Sequence, residues 1–117
     1  MIAETIRTQA HPALLVTAEA ASTAYREAQL KYSREQLKAI EMEGADGTPT
    51  MFIDVLVEDA IIAAARSIGV NVLSEERGWI DVGSSISLVI DPVDGSANAA
   101  AGVPLSCFSA AVVEDGE

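Results

Sequence analysis

The sequence predicts an α+β domain in which two N-terminal helices cover a largely antiparallel sheet. Apolar residues recur at helical spacing in the first half of the chain, and short apolar runs typical of strands follow in the second half. Half of the 117 residues are apolar, a share that disordered chains do not reach. We therefore expect one folded domain over residues 1–117, with helices and sheet packed as layers.

The two helices are predicted from apolar spacing and from turn formers. Leu14, Ala18 and Ala21 recur at helical intervals, which predicts a long amphipathic helix from about residue 13 to the low forties. The turn formers that precede Thr50 are expected to end this helix. Thr50 is then expected to cap a second helix over roughly residues 51–67.

An acidic face is predicted on the second helix. Asp54 and Glu58 lie four residues apart and share one face, while Ile53 and Val57 belong to an apolar stripe on another face. The alternative interpretation is a solvated surface, which is where most acidic side chains lie. The same alternative applies to the adjacent acids 75 and 76.

Three strands are predicted in the second half of the chain, over residues 70–73, 86–90 and 107–113. Cys107 is the only cysteine, so it excludes an internal disulfide, and it is expected to be a small buried side chain. The last residues carry the Asp-Gly pair of a hairpin turn without a returning strand. We therefore expect a truncated or split protein whose C-terminal domain is absent.

The charge of the chain excludes several kinds of partner. Eighteen acidic residues against seven Lys and Arg give a formal net charge of -11, whereas binding to nucleic acid or anionic lipid requires a cationic surface. No apolar run is long enough for the core of a signal peptide or for a membrane span. We expect a cytoplasmic protein that binds cations, small molecules or other proteins.

The segment 91–96, with the sequence DPVDGS, predicts a cation site. Asp91 and Asp94 place two carboxylates close together after an apolar strand, on what we expect to be a rigid turn. Carboxylate and carbonyl oxygens suit Mg²⁺, and the N–H groups of Gly95 and Ser96 suit phosphate if a helical turn starts there. The alternative interpretation is an Asp-Pro turn with capping carboxylates.

The order of these motifs resembles the inositol monophosphatase superfamily, which includes fructose bisphosphatases and phosphoadenosine phosphate phosphatases. The matching elements are Asp54-x-x-x-Glu58 on a helix, Glu75-Glu76, the segment 91–98 (DPVDGSAN) after a strand, and the segment 102–104 (GVP). The resemblance runs from about the mid-forties to the end of the chain. It is similar to the archaeal type, several members of which act on both inositol phosphates and fructose 1,6-bisphosphate.

The resemblance implies a Mg²⁺-dependent phosphomonoesterase that uses a metal-activated water, with two or three ions in the intact site. The implied substrate is a small phosphorylated sugar or polyol. Position by position, the resemblance implies that Glu75, Asp91, the carbonyl of Val93 and Asp94 bind metal. It implies that Gly95 and Ser96 bind phosphate and that Asp54 and Ser96 are catalytic. Glu58 and Glu76 are implied to support the site.

Three departures from the family pattern bear on function. Ser96 stands where a threonine is usual, Asn98 precedes alanines where an aromatic residue is usual, and the family's second domain, with a further metal-binding aspartate, is missing from this chain. The alternative function is therefore a non-catalytic or split metal-binding half-domain that needs a separate C-terminal polypeptide. A homodimer is also open. A halophilic structural domain would explain the charge but not the spacing of the acids.

Overall fold

The fold has two long helices, with shorter helices and strands before and after the second of them. The computed structural model describes residues 9–45, 47, 49–102 and 106–114. In chain order the elements are α1 (Pro12–Lys31), α2 (Arg34–Leu37), β1 (Ile40–Glu43), β2 (Pro49–Met51), α3 (Phe52–Ser67), β3 (Asn71–Ser74), β4 (Gly78–Ile80), β5 (Ile86–Asp94), α4 (Ser96–Ala100) and β6 (Cys107–Glu114).

Helix α1 ends well before its predicted boundary. Its C-cap residue, Tyr32, is extended, and the Ser33 hydroxyl then accepts a hydrogen bond from the backbone N–H of Gln36. The Gln36 side chain accepts the backbone N–H of Ser33 at 2.9 Å, which completes a capping box and starts the separate helix α2. The prediction of one helix into the low forties is wrong, because this local capping motif overrides the apolar spacing.

Strands β1 and β2 form a small antiparallel hairpin that was not predicted. The turn formers between them connect two strands instead of ending a helix, and residues 46 and 48 of this turn lie outside the described part of the chain. Met51 is the N-cap residue of α3, so the predicted capping role of Thr50 is wrong. Thr50 is instead buried, and its hydroxyl donates to the carboxylate of Glu76.

The main sheet has four strands in the order β4-β3-β5-β6. The outer pairs are antiparallel, as predicted for most of the sheet, but the central pair of β3 and β5 is parallel. Its register pairs Ser74 with Ile90, so β3 ends beside the residue that precedes Asp91. The parallel pair therefore brings the residues after β3 next to Asp91, although the two segments are separated in sequence.

Helices α1 and α3 cover one face of this sheet. From α3, Ile53, Val57 and Ile61 are each at most 2% exposed, and they join Leu88 and Ile90 of β5 in one core. This confirms the predicted helical layer and the second helix within one residue of its predicted start. No helix in the described ranges is both long and apolar enough to cross a membrane.

The segment around β5 and β6 departs from prediction in two ways. Strand β5 continues through Asp94, with irregular register against β6 after Asp91, so the expected rigid turn at 91–94 is wrong. Pairing with β6 keeps this segment extended, and the chain turns only at Gly95. Cys107 is exposed, so its expected burial is also wrong. Residues 103–105 and the expected hairpin after residue 114 lie outside the described residues.

Candidate active site

A contact between Asp54 and Ser96 joins helix α3 to the start of helix α4. The Ser96 hydroxyl donates to Asp54 Oδ1 at 2.5 Å, although the two residues lie 42 positions apart. The other oxygen, Oδ2, accepts the backbone N–H of Met51 at 2.9 Å. Asp54 is only 2% exposed, so a solvated surface position is wrong for this acid. Both of its oxygens are therefore held in place by the fold.

The electrostatic surroundings of Asp54 include a second acid. Burial raises the pKa of Asp54 above its usual value, while the hydrogen bonds from Ser96 and the Met51 backbone lower it. The charge of Asp91 raises this pKa further, so the two carboxylates lie close enough to repel each other. The acidic face of α3 and the acidic end of β5 thus share one region.

The last residues of β5 lead directly into helix α4. Asp91 is half-buried and Asp94 is exposed. The carbonyl oxygen of buried Val93 lies 3.0 Å from the Ser96 hydroxyl oxygen and is a second, more distant acceptor for its one proton. Gly95 has a φ of 86°, a left-handed conformation that favours glycine, and it is the N-cap residue of α4. The predicted start of a helical turn at residues 95 and 96 is confirmed.

The adjacent acids Glu75 and Glu76 have opposite surroundings. Glu76 is 7% exposed, its carboxylate accepts the Thr50 hydroxyl, and its carbonyl accepts the N–H of Ala45 at 2.6 Å. Glu75 is exposed, and its backbone N–H donates to the carbonyl of Ile90 at 3.3 Å. Glu76 is therefore built into the interior, whereas the carboxylate of Glu75 is accessible beside the end of β5.

Glu58 lies one helical turn after Asp54 and is 1% exposed. The Ser74 hydroxyl donates to its Oε2, and Arg77 Nε lies 2.8 Å from its Oε1 as an ion pair without hydrogen-bond geometry. Arg77 also pairs with Asp59. Burial raises the pKa of Glu58, whereas the Ser74 hydrogen bond and the charge of Arg77 lower it. The acidic face of α3 therefore lies against the loop after β3.

Two of these contact residues were not identified from sequence. Ser74 belongs to no motif that would mark it as the donor to a buried acid. Arg77 can be singled out from the sequence, because it is the only Lys or Arg after residue 66 in a segment rich in acids. A lone cation among acids is a reason to look for an ion pair, but its partner on α3 depends on the packing.

The predicted metal ligands supply suitable donors but do not converge. Among the residues that the structure describes, no group of three or more His, Cys, Asp or Glu side chains is placed to hold a metal ion. The donor types nevertheless fit Mg²⁺, because hard cations prefer carboxylate and carbonyl oxygens. A cation beside Asp54 and Asp91 would also relieve their repulsion. The metal roles of Glu75, Asp91, Val93 and Asp94 stay predictions.

The similarity to known proteins covers nearly the whole chain. Residues 9–117 match the inositol monophosphatase family. The chain belongs to this family. Since the family sequence covers nearly the whole chain, the order of motifs and the α+β layers are explained together, and the predicted fold class is confirmed.

Two relatives and one solved structure indicate how much of the inositol monophosphatase fold this chain contains. A fructose-1,6-bisphosphatase/inositol-1-monophosphatase of Thermococcus kodakarensis is 46% identical over 63 residues, which are 54% of this chain and 25% of the relative. A protein of the same name from Methanocaldococcus jannaschii is 34% identical over 86 residues, 74% of this chain and 34% of the relative. A crystal structure of an inositol monophosphatase-fructose 1,6 bisphosphatase has 30% identity and a TM-score of 0.75 over 88% of this chain and 41% of its own. This chain thus spans less than half the length of these relatives.

Proposed function

We propose that this chain supplies the metal-binding and phosphate-binding domain, the N-terminal half, of a Mg²⁺-dependent phosphomonoesterase. The proposed substrates are inositol monophosphate, fructose 1,6-bisphosphate or both, in keeping with the names of the relatives. The observation that carries the proposal is the contact between Asp54 and Ser96. It unites a buried acid and a hydroxyl from distant parts of the chain, beside Asp91 and the start of α4.

Asp54 is the proposed general base, and it acts through Ser96. The Ser96 hydroxyl donates to Asp54 Oδ1, so its oxygen is left to accept a hydrogen bond from an attacking water. As the water attacks phosphorus, its proton passes to Ser96 while the Ser96 proton passes to Asp54. Asp54 keeps its orientation during this transfer because its second oxygen accepts the N–H of Met51.

The remaining roles follow the family pattern. Bound Mg²⁺ supplies an activated water and neutralises charge on the phosphoryl group and the leaving oxygen. The first ion would be held by Glu75, Asp91 and the carbonyl of Val93, the second by Asp91 and Asp94, and the phosphate by the N–H groups of Gly95 and Ser96. Glu58 and Glu76 would support this site from the interior, where both are buried.

A non-catalytic or split half-domain is the second candidate, and the placement of the acids favours it. Within the described ranges, no group of three or more acids is placed to hold a metal ion. Such a half-domain would bind divalent cations weakly and would hydrolyse nothing until a second polypeptide completes the site. A cytoplasmic location and a homodimer also stay predictions.

The test is Mg²⁺-dependent phosphate release from inositol 1-phosphate and fructose 1,6-bisphosphate by wild type, Asp91→Asn and the control Asp81→Asn. Asp81 is an exposed acid in the loop after β4. Release that only Asp91→Asn abolishes supports the phosphatase and identifies its ester. Absence of release, with Mg²⁺ binding that only Asp91→Asn removes, supports the half-domain. A wild-type chain that binds no Mg²⁺ contradicts both.

A further inference from the structure

We propose that Arg77 positions Glu75 for metal binding by holding the loop between β3 and β4 against helix α3. This inference rests on the proposed function, in which Glu75 is a metal ligand. Arg77 would not touch the metal or the substrate. Its effect would pass through the short loop 75–77, which carries the ligand at one end and the arginine at the other.

The contacts of Arg77 reach two neighbouring residues of α3. Its Nε lies 2.8 Å from Glu58 Oε1, and its terminal nitrogen pairs with Asp59 Oδ1. A guanidinium is planar and presents several donors in a fixed arrangement, so one arginine can bind two carboxylates at once. Pairing with consecutive helix residues restricts both the position and the direction of the side chain.

The loop also reaches α3 through its backbone, because the N–H of Arg77 donates to the Glu58 carboxylate. Glu75 is tied to the sheet by its N–H bond to Ile90, at a long 3.3 Å, and Glu76 is tied to the small hairpin through Thr50. The ion pairs of the Arg77 side chain connect the same loop to α3, which also carries Asp54. Arg77 thereby fixes the position of Glu75, the proposed ligand, relative to Asp54, the proposed base.

Charge explains why an arginine is needed at this position. Glu58 and Glu76 are both buried, at 1% and 7% exposure, and the charge of each disfavours the charge of the other. A buried carboxylate needs a partner, and Arg77 is the only Lys or Arg in the sequence after residue 66. Its removal takes away both the charge that compensates Glu58 and the bridge to Asp59 that ties the loop to α3.

The first test measures divalent cation affinity, with Mn²⁺ followed by electron paramagnetic resonance and Mg²⁺ by calorimetry. Arg77→Met should weaken binding about 10- to 100-fold, as removal of a residue that orients a ligand does. Arg77→Lys should recover part of the loss, because one ammonium reaches one acid but does not bridge two. Arg66→Ala removes an exposed arginine from the last turn of α3 and should bind as wild type. Wild-type affinity in Arg77→Met overturns the proposal.

A double variant separates positioning from simple loss of folding. Arg77→Met leaves the buried Glu58 carboxyl without its cation, whereas Glu58→Gln with Arg77→Met replaces this carboxyl by an amide that still allows Ser74 to donate. If Arg77 positions the loop, the double variant should fold and should still bind Mn²⁺ weakly. Recovery of wild-type affinity in the double variant would mean that Arg77 only neutralises Glu58, and the proposal would be wrong.

Amide hydrogen exchange tests the loop without any metal. In metal-free protein, Arg77→Met should speed exchange in residues 75–77 while β5 keeps its protection. Unchanged exchange in the loop overturns the proposal whatever the metal data show. If wild type binds no metal, the proposed function fails; faster loop exchange would then still support the ion-pair contact with α3, so the two failures are distinguishable.

Discussion

The acids of this chain fall into two groups with opposite surroundings. The inner acids are Asp54, Glu58 and Glu76, each at most 7% exposed and each with a named hydrogen-bond donor. The outer acids are Glu75, Asp91 and Asp94, which are exposed or half-buried and do not converge. A buried charge without a partner costs several kcal/mol, so the fold must place the inner acids in defined contacts. The outer acids are at least partly open to solvent, so we expect a bound cation to set their final arrangement.

The largest effect is expected on phosphate release when the inner acid Asp54 can no longer take a proton. Asp54→Asn keeps an oxygen for Met51 but cannot take a proton, so phosphate release at saturating Mg²⁺ should fall about 10²- to 10⁴-fold. Mn²⁺ affinity should stay near that of wild type, because an inner acid is not a ligand in this scheme. A loss of Mn²⁺ affinity as large as the loss of rate would mean that Asp54 acts as a metal ligand, as the outer acids are proposed to do.

The neighbours Glu75 and Glu76 provide a matched pair. Glu76→Ala leaves the buried Thr50 hydroxyl without its acceptor and should lower the free energy of unfolding by about 1–3 kcal/mol. Glu75→Ala should lower it by less than about 0.5 kcal/mol, as exposed substitutions do. Urea unfolding without metal measures both. Calorimetry with Mg²⁺ should give the reverse order, with the greater loss of affinity in Glu75→Ala.

A pH series tests the burial of Glu58. Because burial raises its pKa in the folded state, the folded protein holds this proton more tightly than the unfolded chain does. The contribution of Glu58 to the free energy of unfolding should therefore be greatest below the ordinary pKa of glutamate and should be lost as pH rises through the raised pKa. Glu58→Gln cannot titrate, so its stability should fall less steeply as pH rises above the ordinary pKa of glutamate, measured by urea unfolding with chelator present. An equal fall in both proteins would contradict this account of Glu58.

The smallest effect is expected for Ser96→Thr. Ser96→Thr keeps the hydroxyl that donates to Asp54, so stability should change by less than about 1 kcal/mol in thermal unfolding. Phosphate release should also stay near that of wild type. The matched change Ser96→Ala removes the donor and should reduce release strongly. If alanine and threonine behave alike, the hydroxyl is not part of the proton path.

The elements that were predicted well and those that were missed differ in length and in local pattern. Helix α3 was found because its apolar spacing runs through 16 residues, and β5 was found because four of the five residues 86–90 are apolar. Strands β2 and β4 have three residues each, too few to establish a period. The boundary of α1 was missed although Ser33-x-x-Gln36 is a recognisable start motif.

The sequence by itself determined which residues are candidates for the chemistry and how they are grouped along the chain. It placed Asp54 and Glu58 on one helical face and led a strand into Asp91, because neighbours in the chain produce these local patterns. The tertiary structure decided that Asp54 meets Ser96 and that Arg77 meets Glu58. These contacts depend on how α3 packs on the sheet and on the parallel pairing of β3 with β5, which no local pattern specifies.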